Sequence, residues 1–395
     1  DLRARDFTIN AMAMPLGDLR REAIVDPAGG LADLAAAVLR PVAGDVFRDD
    51  PVRTLRVVRF VHELGLTPAA GLEQAVAAYA PLLAQVASER VRDEVNRMAA
   101  LPTFGACLRD MDRLGLLDVF LPELAGLRGM DQPWPHRWDA LEHSLRTVEA
   151  VEVLADALAG AETGGPWGDF AAALGPLRQD VAEYLAVSVA PGESRLVLLK
   201  LAAALHDVGK PATRTEDKGR VRFYNHPQVG AEMAAQALTR LRYSAAAVSL
   251  VSGVVREHMW LLSLVRTRSV TNRALYRFHR ALGDGAVAAA LLFLADLFAT
   301  QPVEQDPNWP AAQAIVRRCL QACLREPHIV SPQPVVSGRD LMAALNLGEG
   351  PIIGTLLEAI REAQAEGKVA TREEALALAA RVVGKQQRMR RDGDR

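Results

Sequence analysis

The stretch ALHDVGK, residues 204–210, closes the apolar run RLVLLKLAAAL (195–205) with an imidazole, a carboxylate, a glycine and an ammonium group. The run predicts a helix buried on most faces. His206 and Asp207 follow each other at its end, about 100° apart around the helix axis, so both reach one ion only where it sits against the helix terminus. Gly209 is expected to leave room for a substrate and Lys210 to meet a phosphate. An ion needs more ligands than two. His143, in LEHSLRT (141–147), stands off the Leu141–Leu145–Val148 apolar line. Asp296, in LFLADLFAT (292–300), puts a carboxylate inside an apolar helix, where an unpaired charge is costly. His226 in NHPQVGAE (225–232) and His258 in REHM (256–259) complete the set. Imidazoles and carboxylates suit a divalent transition metal, and such a metal lowers the pKa of a bound water for attack on phosphorus. Each residue alone is an ordinary core or surface residue; their order along the chain is the signal.

Composition sets the frame around that stretch. A chain of 395 residues predicts two to four domains. With 50% hydrophobic but only 5% aromatic residues, and abundant Ala and Leu, it suits helices over sheets. A net charge of −2 neither supports nor excludes a nucleic-acid partner, because a local basic stripe would be averaged away. Cys107, Cys319 and Cys323 make no disulfide framework and read as reduced cytosolic thiols. Cys319 and Cys323 lie one helical turn apart, but no second pair follows at zinc-like spacing. The run AVAAALLFLA (286–295) is too short to cross a bilayer, so no membrane partner is expected.

Local patterns organise the rest. DFTINAMAMP (6–15) reads as strand and turn. FRDDPVRTLRVVRFVHELGL (47–66) opens a helical region, with Asp49 and Asp50 as N-cap candidates, Pro51 in the first turn and Gly65 as the stop. GMDQPWPHRWDA (129–140) reads as a junction between domains, and GAETGGPWGD (160–169) as an exposed insertion. TRTEDKGRVRFYNH (213–226) predicts a hairpin turning at Asp217–Gly219. QDPNWP (305–310) and Pro332–Gly338 read as linkers, and GKQQRMRRDGDR (384–395) as a frayed polar end.

The ordered set His143, His206-Asp207 and a later Asp, with HDVGK in it, resembles the HD phosphohydrolase superfamily. The resemblance implies an all-helical domain with His143, His206, Asp207 and Asp296 as metal ligands. Asp284 is the alternative for the last position, and His226, His258 and Lys210 are further candidates at the site.

Three strings before it, RARDFTINAMA (3–13), DPAGGLADLAAAVLRP (26–41) and FRDDPVRTLRVVRF (47–60), resemble in that order the class II tRNA nucleotidyltransferase and poly(A) polymerase family. The segment from Val336 to Ala379 is similar to that family's C-terminal region. The implied architecture is mainly α. It comprises a remnant of an α/β nucleotidyltransferase head (1–46), a helical neck that binds nucleotide and RNA (47–128), the HD domain (129–304), and a helical C-terminal region with a basic tail (311–395). Arg5 and Asp6 match the motif that contacts the ribose. Asp49, Asp50 and Arg53 match the segment that reads the incoming base, with Asp49 where the family usually has Glu, and Arg56 lies on the same helix.

The chemistry suits those residue types. Asp50 and Arg53, at i and i+3, share a helix face. Cytosine and adenine both set an exocyclic amine beside a ring-nitrogen acceptor, which a carboxylate and a guanidinium complement. Guanine and uracil place a carbonyl where the amine should be and leave the protein groups unpaired, the basis of strong rejection. Candidate RNA phosphate contacts are Arg53, Arg56 and Arg59, then Arg109 and Arg113, then Lys385, Arg388, Arg390 and Arg391. Arg90, Arg92 and Arg97, in SERVRDEVNRM (88–98), resemble a further motif of the family but equally suit ion pairs with Glu89, Asp93 and Glu94.

In the family the metal-holding carboxylates and a Gly-rich turn precede the Arg-Asp-Phe motif, and here only Asp1–Ala4 do. The expectation is a chain that begins inside the catalytic head and has no catalytic residues for transfer. The expected whole is a cytoplasmic CCA- or poly(A)-adding tRNA nucleotidyltransferase relative with tRNA, CTP and ATP as partners. Mg²⁺ would serve transfer, and a transition metal or Mg²⁺ the HD site. Two rivals stand beside it: a stand-alone metal-dependent phosphohydrolase, and a non-catalytic RNA-binding protein.

Overall fold

The computed structural model describes residues 2–18, 20–161, 164–302 and 306–393, with side chains described as far as residue 385. The chain divides into two compact units, Asp1–His258 with Leu291–Pro307, and Met259–Ala290 with Asn308–Arg395. Both are helical, and the strands among the described residues form three two-stranded pairs.

The first forty residues of the first unit depart from the expected strand. Thr8–Asn10 is a single 3₁₀ turn, flanked by isolated bridges between Phe7 and Pro41 and between Ala13 and Val25; the short strand of this segment is Val38–Leu39, parallel to Thr67–Pro68. Thr8 turns because it is buried against the helix Gly30–Ala35, which approaches so closely that a Cβ on Gly30 would stand 2.2 Å from the Thr8 carbonyl oxygen. The Thr8 hydroxyl donates to Asp33 at 2.7 Å.

The helix Arg53–Leu64 follows, ended by Gly65 at φ +64°. Its Leu55, Val57 and Val58 are buried, and it packs against Ser88–Ala99 and Phe104–Arg113. Neither Asp49 nor Asp50 caps it: the N-cap is Val52, which makes no side-chain bond. Asp49 ends the short helix Val46–Asp49, and the Asp50 carboxylate is taken by Arg90 instead.

The helix Ala140–Ala159 starts at Asp139, whose carboxylate accepts from the Glu142 amide. It packs between Phe104–Arg113 and the apolar helix Arg195–Leu205, whose residues from Val197 on are all buried. The hairpin forms as expected, Arg214–Asp217 with Arg220–Phe223, turning through Lys218 and Gly219 at φ +51° and +71°. His226–Arg240 and Ala245–Glu257 then lie side by side. Most of the described residues of the 160–169 segment are exposed, as expected. Residues 162 and 163 lie outside the described residues, but Gly165–Leu174 is a helix that buries Trp167 and Phe170.

The second unit holds Trp260–Thr267, Asn272–Leu282, Trp309–Arg325, Pro327–Val330, Gly338–Leu345, Pro351–Ala365 and Arg372–Gly393. Leu341, Leu356, Ile360, Ala375 and Ala379 form a core within it. Two segments read as linkers are used as helix starts: Trp309 is buried at the head of its helix, and Ser337 makes a capping box with Asp340. The C-terminal segment is helical as far as Gly393, where fraying was expected; the side chains of Arg388, Arg390 and Arg391 lie outside the described ones.

Ala245–Thr267 and Asn272–Thr300 are long and apolar enough to cross a membrane by length and composition. The first is two helices that meet at His258–Met259, and the second is broken by the 3₁₀ turn Gly283–Gly285. Ala286 to Ala295 are at most 4% exposed, so that apolar run is protein interior.

Candidate metal centre and base-reading site

The turn after Arg195–Leu205 places His206 and Asp207, each 1% exposed, at the bottom of the first unit's helical core. His143, 0% exposed, reaches them from Ala140–Ala159, and Asp296 from Ala286–Thr300. Asp284, the alternative, belongs to the second unit. His226 enters from the first turn of its helix, and His258 from the end of Ala245–Glu257.

Six side chains thus converge as two groups of three, His143–His206–Asp296 and Asp207–His226–His258, each with its ligand atoms within 4.8 Å of one another. Asp207 stands between the groups. Its Oδ2 lies 3.3 Å from His206 Nε2 and 3.7 Å from His143 Nε2, and its Oδ1 lies 3.5 Å from His226 Nε2. Asp296 Oδ1 is 2.9 Å from His143 Nε2 and 3.7 Å from His206 Nε2. His226 and His258 face each other with Nε2 atoms 3.4 Å apart.

The backbone fixes which ring nitrogen faces inward. His206, His226 and His258 each turn Nδ1 to the carbonyl three residues back (Ala203, Phe223, Val255), leaving Nε2 for the centre. Both ring nitrogens of His143 and the Nε2 of His206 are buried without a hydrogen-bond partner. Orphaned buried polar atoms are costly, and here they aim at carboxylates, the arrangement a divalent cation relieves. The donor set therefore fits a metal.

Electrostatics agree. Burial drives the His258 imidazole down to about 3, and His206 beside it pushes the same way; burial lowers His226 also. For His206 burial is outweighed by Asp207 and Asp296, and its pKa rises. Both carboxylates are held ionised despite burial: Asp207 by His206 and Lys210, Asp296 by the close imidazoles of His143 and His206. The Lys210 ammonium lies 2.5 Å from Asp207 Oδ2 and also donates to Gln132.

Gly209 serves a purpose other than the expected one. A Cβ there would stand 2.2 Å from the His226 carbonyl oxygen and 2.5 Å from the Gly230 nitrogen. The missing side chain makes room for the backbone of the helix that delivers His226, not for a substrate.

At the start of the helix Arg53–Leu64, Asp50 and Arg53 lie together, with Arg53 Nε 3.9 Å from Asp50 Oδ2. Arg90 holds that oxygen at 2.7 Å. The Arg53 Nη atoms donate to the carbonyls of Val46 and Ala4. One acceptor, Asp50 Oδ1, and one donor, Arg53 Nε, are covered but have no hydrogen-bond partner. Asp6 is buried and accepts from Arg56 at 2.9 Å, and Arg56 also donates to Glu94. Arg5 and Asp49 are exposed.

Four of the arginines named as phosphate contacts pair with carboxylates. Arg56 and Arg59 converge on buried Glu94, Arg109 binds Glu142 and Glu149, and Arg113 binds Glu73 and Asp110. Arg97 lies 3.5 Å from Glu94, and Arg92 pairs with Asp93. Cys319 and Cys323 are thiols whose pKa burial raises, and among the described residues they join no metal-binding group.

Comparison with known proteins gives the lineage. Family models match the chain as the Poly A polymerase head domain over residues 1–40 and the "Probable RNA and SrmB- binding site of polymerase A" over 65–127. Others match the HD domain over 140–277 and domain 2 of tRNA nucleotidyltransferases over 229–380. The A-adding tRNA nucleotidyltransferase of Deinococcus radiodurans is 36% identical, over 96% of this chain and 78% of that protein. The chain belongs to the tRNA nucleotidyltransferase family. The CC-adding enzyme of Thermus thermophilus is 35% identical over 96% of this chain and 76% of its own length. Among solved structures, the Bacillus stearothermophilus CCA-adding enzyme in complex with CTP has a TM-score of 0.55 at 21% identity, covering 98% of this chain and 75% of that one. The Thermotoga maritima CCA-adding enzyme complexed with tRNA has a TM-score of 0.52 at 17% identity, covering 97% and 73%. At those identities the likeness is one of fold.

Within this member of the family, one cluster of residues escaped the sequence reading. The loop 129–139 brings His136 edge-on to His143, ring centroids 4.9 Å apart, and places Gln132 on Lys210. A histidine seven residues ahead of His143, just before the capping Asp139, was the available signal.

Proposed function

We propose that the chain takes part in adding C or A to the 3′ end of tRNA, with CTP and ATP as nucleotides and Mg²⁺ as the ion of transfer, in the cytoplasm. The relatives' names supply the reaction class. The observation that carries the base-reading part is the pair of unmet atoms at Asp50 and Arg53. Every other polar atom of the two side chains is anchored, to Arg90 or to the carbonyls of Val46 and Ala4, so one acceptor and one donor remain without a partner. Asp50 Oδ1 would accept from the exocyclic amine of cytosine or adenine, and Arg53 would donate to the adjacent ring nitrogen. Asp6, fixed by Arg56, would meet the ribose, with Arg5 and Asp49 at the rim. Titrating the 395-residue chain with CTP, ATP, UTP and GTP tests this. CTP or ATP should bind at least about tenfold more tightly than UTP and GTP, about 1.4 kcal/mol. Asp50→Ala and Arg53→Ala should each erase the preference; equal affinity for all four nucleotides refutes the reading.

A separate observation, the six-residue cluster with its orphaned imidazole nitrogens, supports a second activity: metal-dependent hydrolysis of phosphoesters. His143, His206, Asp207 and Asp296 would hold a divalent ion, with His226 and His258 extending the set through Asp207. When bound, such an ion acidifies water and offsets charge on a phosphoryl oxygen. The protein's own groups do the rest. The backbone carbonyls of Ala203, Phe223 and Val255 orient the three imidazoles, and Lys210 keeps Asp207 ionised and offers an ammonium to a phosphate. Manganese-dependent release of p-nitrophenol from bis(p-nitrophenyl) phosphate, lost in His206→Ala, is the expected result; release that survives in His206→Ala refutes this assignment.

A further inference from the structure

The helix Ser88–Ala99 is gripped on two opposite faces. Residues two apart on a helix point about 200° apart, so Arg90 and Arg92 face opposite ways, as do Glu94 and Asn96. One face serves the base-reading pair. Arg90 holds Asp50 Oδ2 at 2.7 Å, and Glu94 receives Arg56, which in turn holds Asp6. The other face meets the turn 242–244, inside the stretch 140–277 that matches the HD domain. Arg92 donates to the Arg242 carbonyl at 2.5 Å, and the Tyr243 hydroxyl donates to Asn96 Oδ1 at 2.8 Å. Tyr243 is 7% exposed and Asn96 5%, so that bond is shielded from water.

The turn itself is firmly held. It ends the helix His226–Arg240 in the left-handed backbone region that usually takes glycine, yet the residue there is Arg242, at φ +62°. The amides of Arg242 and Tyr243 close that helix on the carbonyls of Thr239 and Leu238. Ser244 then caps Ala245–Glu257, and its hydroxyl and amide both donate to Glu193, which is 2% exposed. Two helix ends and a buried carboxylate thus fix the turn, and the turn fixes helix Ser88–Ala99. A helix carries its side-chain groups roughly 5–6 Å from its axis, so a rotation of about 20° moves them by about 2 Å. That is enough to take Arg90 out of hydrogen-bond range of Asp50.

We infer that the turn 242–244 is a positioning element for nucleotide selection: the HD domain holds helix Ser88–Ala99 in the rotation that leaves Asp50 Oδ1 and Arg53 Nε ready for a base. Tyr243 and Asn96 act in this through Arg90 and not on the base itself. The inference rests on the base-reading role proposed for Asp50 and Arg53, and it needs no ion at the metal centre.

Two readouts on the 395-residue chain test it. Calorimetric titration with CTP, ATP, UTP and GTP gives the preference for C or A, and hydrogen–deuterium exchange of residues 46–56 reports how firmly the reading pair is held. Tyr243→Phe, which removes one hydroxyl, and Asn96→Leu should each reduce a preference of about tenfold to about threefold or less. Each should also speed exchange in 46–56 at least about threefold. The double variant should lose no more than either single one, because both remove the same bond. Arg90→Ala should reproduce the loss of preference from the opposite face. Leu174→Ala truncates a core residue, 3% exposed, elsewhere in the HD domain. It should lower the unfolding midpoint yet leave both readouts at wild-type values, which separates positioning from a general loss of stability. A wild-type chain without preference, whose 46–56 exchange still rises in Tyr243→Phe, upholds the brace and overturns the base-reading role. Preference and exchange both unchanged in Tyr243→Phe, or changed as much in Leu174→Ala, overturn the inference.

Discussion

Replacing Asp207 by Asn tests the centre at its middle. The carboxylate is 1% exposed, and its Oδ2 lies 2.5 Å from the buried Lys210 ammonium. At an effective dielectric of about 20 that pair attracts by roughly 7 kcal/mol before desolvation. Breaking one side of a buried pair costs about 3–5 kcal/mol net. Asn keeps one acceptor, and Gln132 still accepts from Lys210, so the lower end, about 3 kcal/mol, is expected for the metal-free chain. At about 2–4 °C per kcal/mol for a unit of this size, the midpoint should fall by roughly 6–12 °C. Metal adds a second reading. An ion at a hundred times its Kd stabilises by about 2.7 kcal/mol per site. A second ion, at Asp207, His226 and His258, would bring the wild type to about 5 kcal/mol. Asp296→Asn, which touches one group of three, should keep about half of that gain. Asp207→Asn, whose oxygens face both groups, should lose nearly all of it. Differential scanning fluorimetry with and without Mn²⁺, paired with elemental analysis of the dialysed protein, measures both. If Asp207→Asn keeps as much metal stabilisation as Asp296→Asn, Asp207 does not join the two groups and the reasoning fails.

Three further outcomes follow from the same geometry. Glu94, 3% exposed, receives Arg56 at 2.9 Å and Arg59 at 2.7 Å; Glu94→Ala leaves Arg59 buried with exposed Glu63 and should cost about 3 kcal/mol in urea unfolding, and less than 1 kcal/mol would show that Glu63 suffices. Metal uptake should release a proton from His206, whose pKa is raised in the metal-free chain, whereas His258, held near 3, is already neutral. Protonated His206 stabilises the metal-free fold below its unfolded pKa of about 6.5, and that contribution is lost as pH rises through the raised folded value. Manganese affinity should therefore climb as pH rises toward the raised folded value and level off above it, and calorimetry in buffers of different ionisation enthalpy should count the proton; a flat profile contradicts the assignment. Gly209→Ala should destabilise by several kcal/mol, at the upper end for a point substitution, because its Cβ meets backbone at 2.2 and 2.5 Å; an unfolding midpoint within 2 °C of wild type, about 1 kcal/mol, would mean the two backbones can part.

Side-chain chemistry made the His–Asp cluster readable before any coordinates. A histidine and an aspartate at the end of an apolar helix, and an aspartate inside another, are expensive to bury without a shared purpose. Six of the residues named from sequence converge, and Asp284, the alternative for the last position, lies in the other unit. Their division was not readable, because which carboxylate oxygen faces which imidazole depends on helix packing. The same limit explains the errors. DFTINA has strand-forming residues, but strand propensity needs a partner strand, and packing against Gly30 turned Thr8–Asn10 into a 3₁₀ turn instead. Gly209 showed in the sequence that something approaches closely, and only the structure shows that it is backbone.

The loop GMDQPWPHRWDA marks the boundary of what pattern alone can give. Proline, tryptophan and glycine in a short polar stretch are the signature of a connection, and residues 129–139 do connect two helical regions. Yet loops are where rigid scaffolds place their recognition groups. Asp139 starts the helix that carries His143, so the residues just before it are held against the cluster by that cap. Position, not composition, gives His136, Arg137 and Trp138 their neighbours, and position is supplied by helices far away in the chain. A loop that precedes a capped, ligand-bearing helix therefore merits reading as part of the site, whatever its composition suggests.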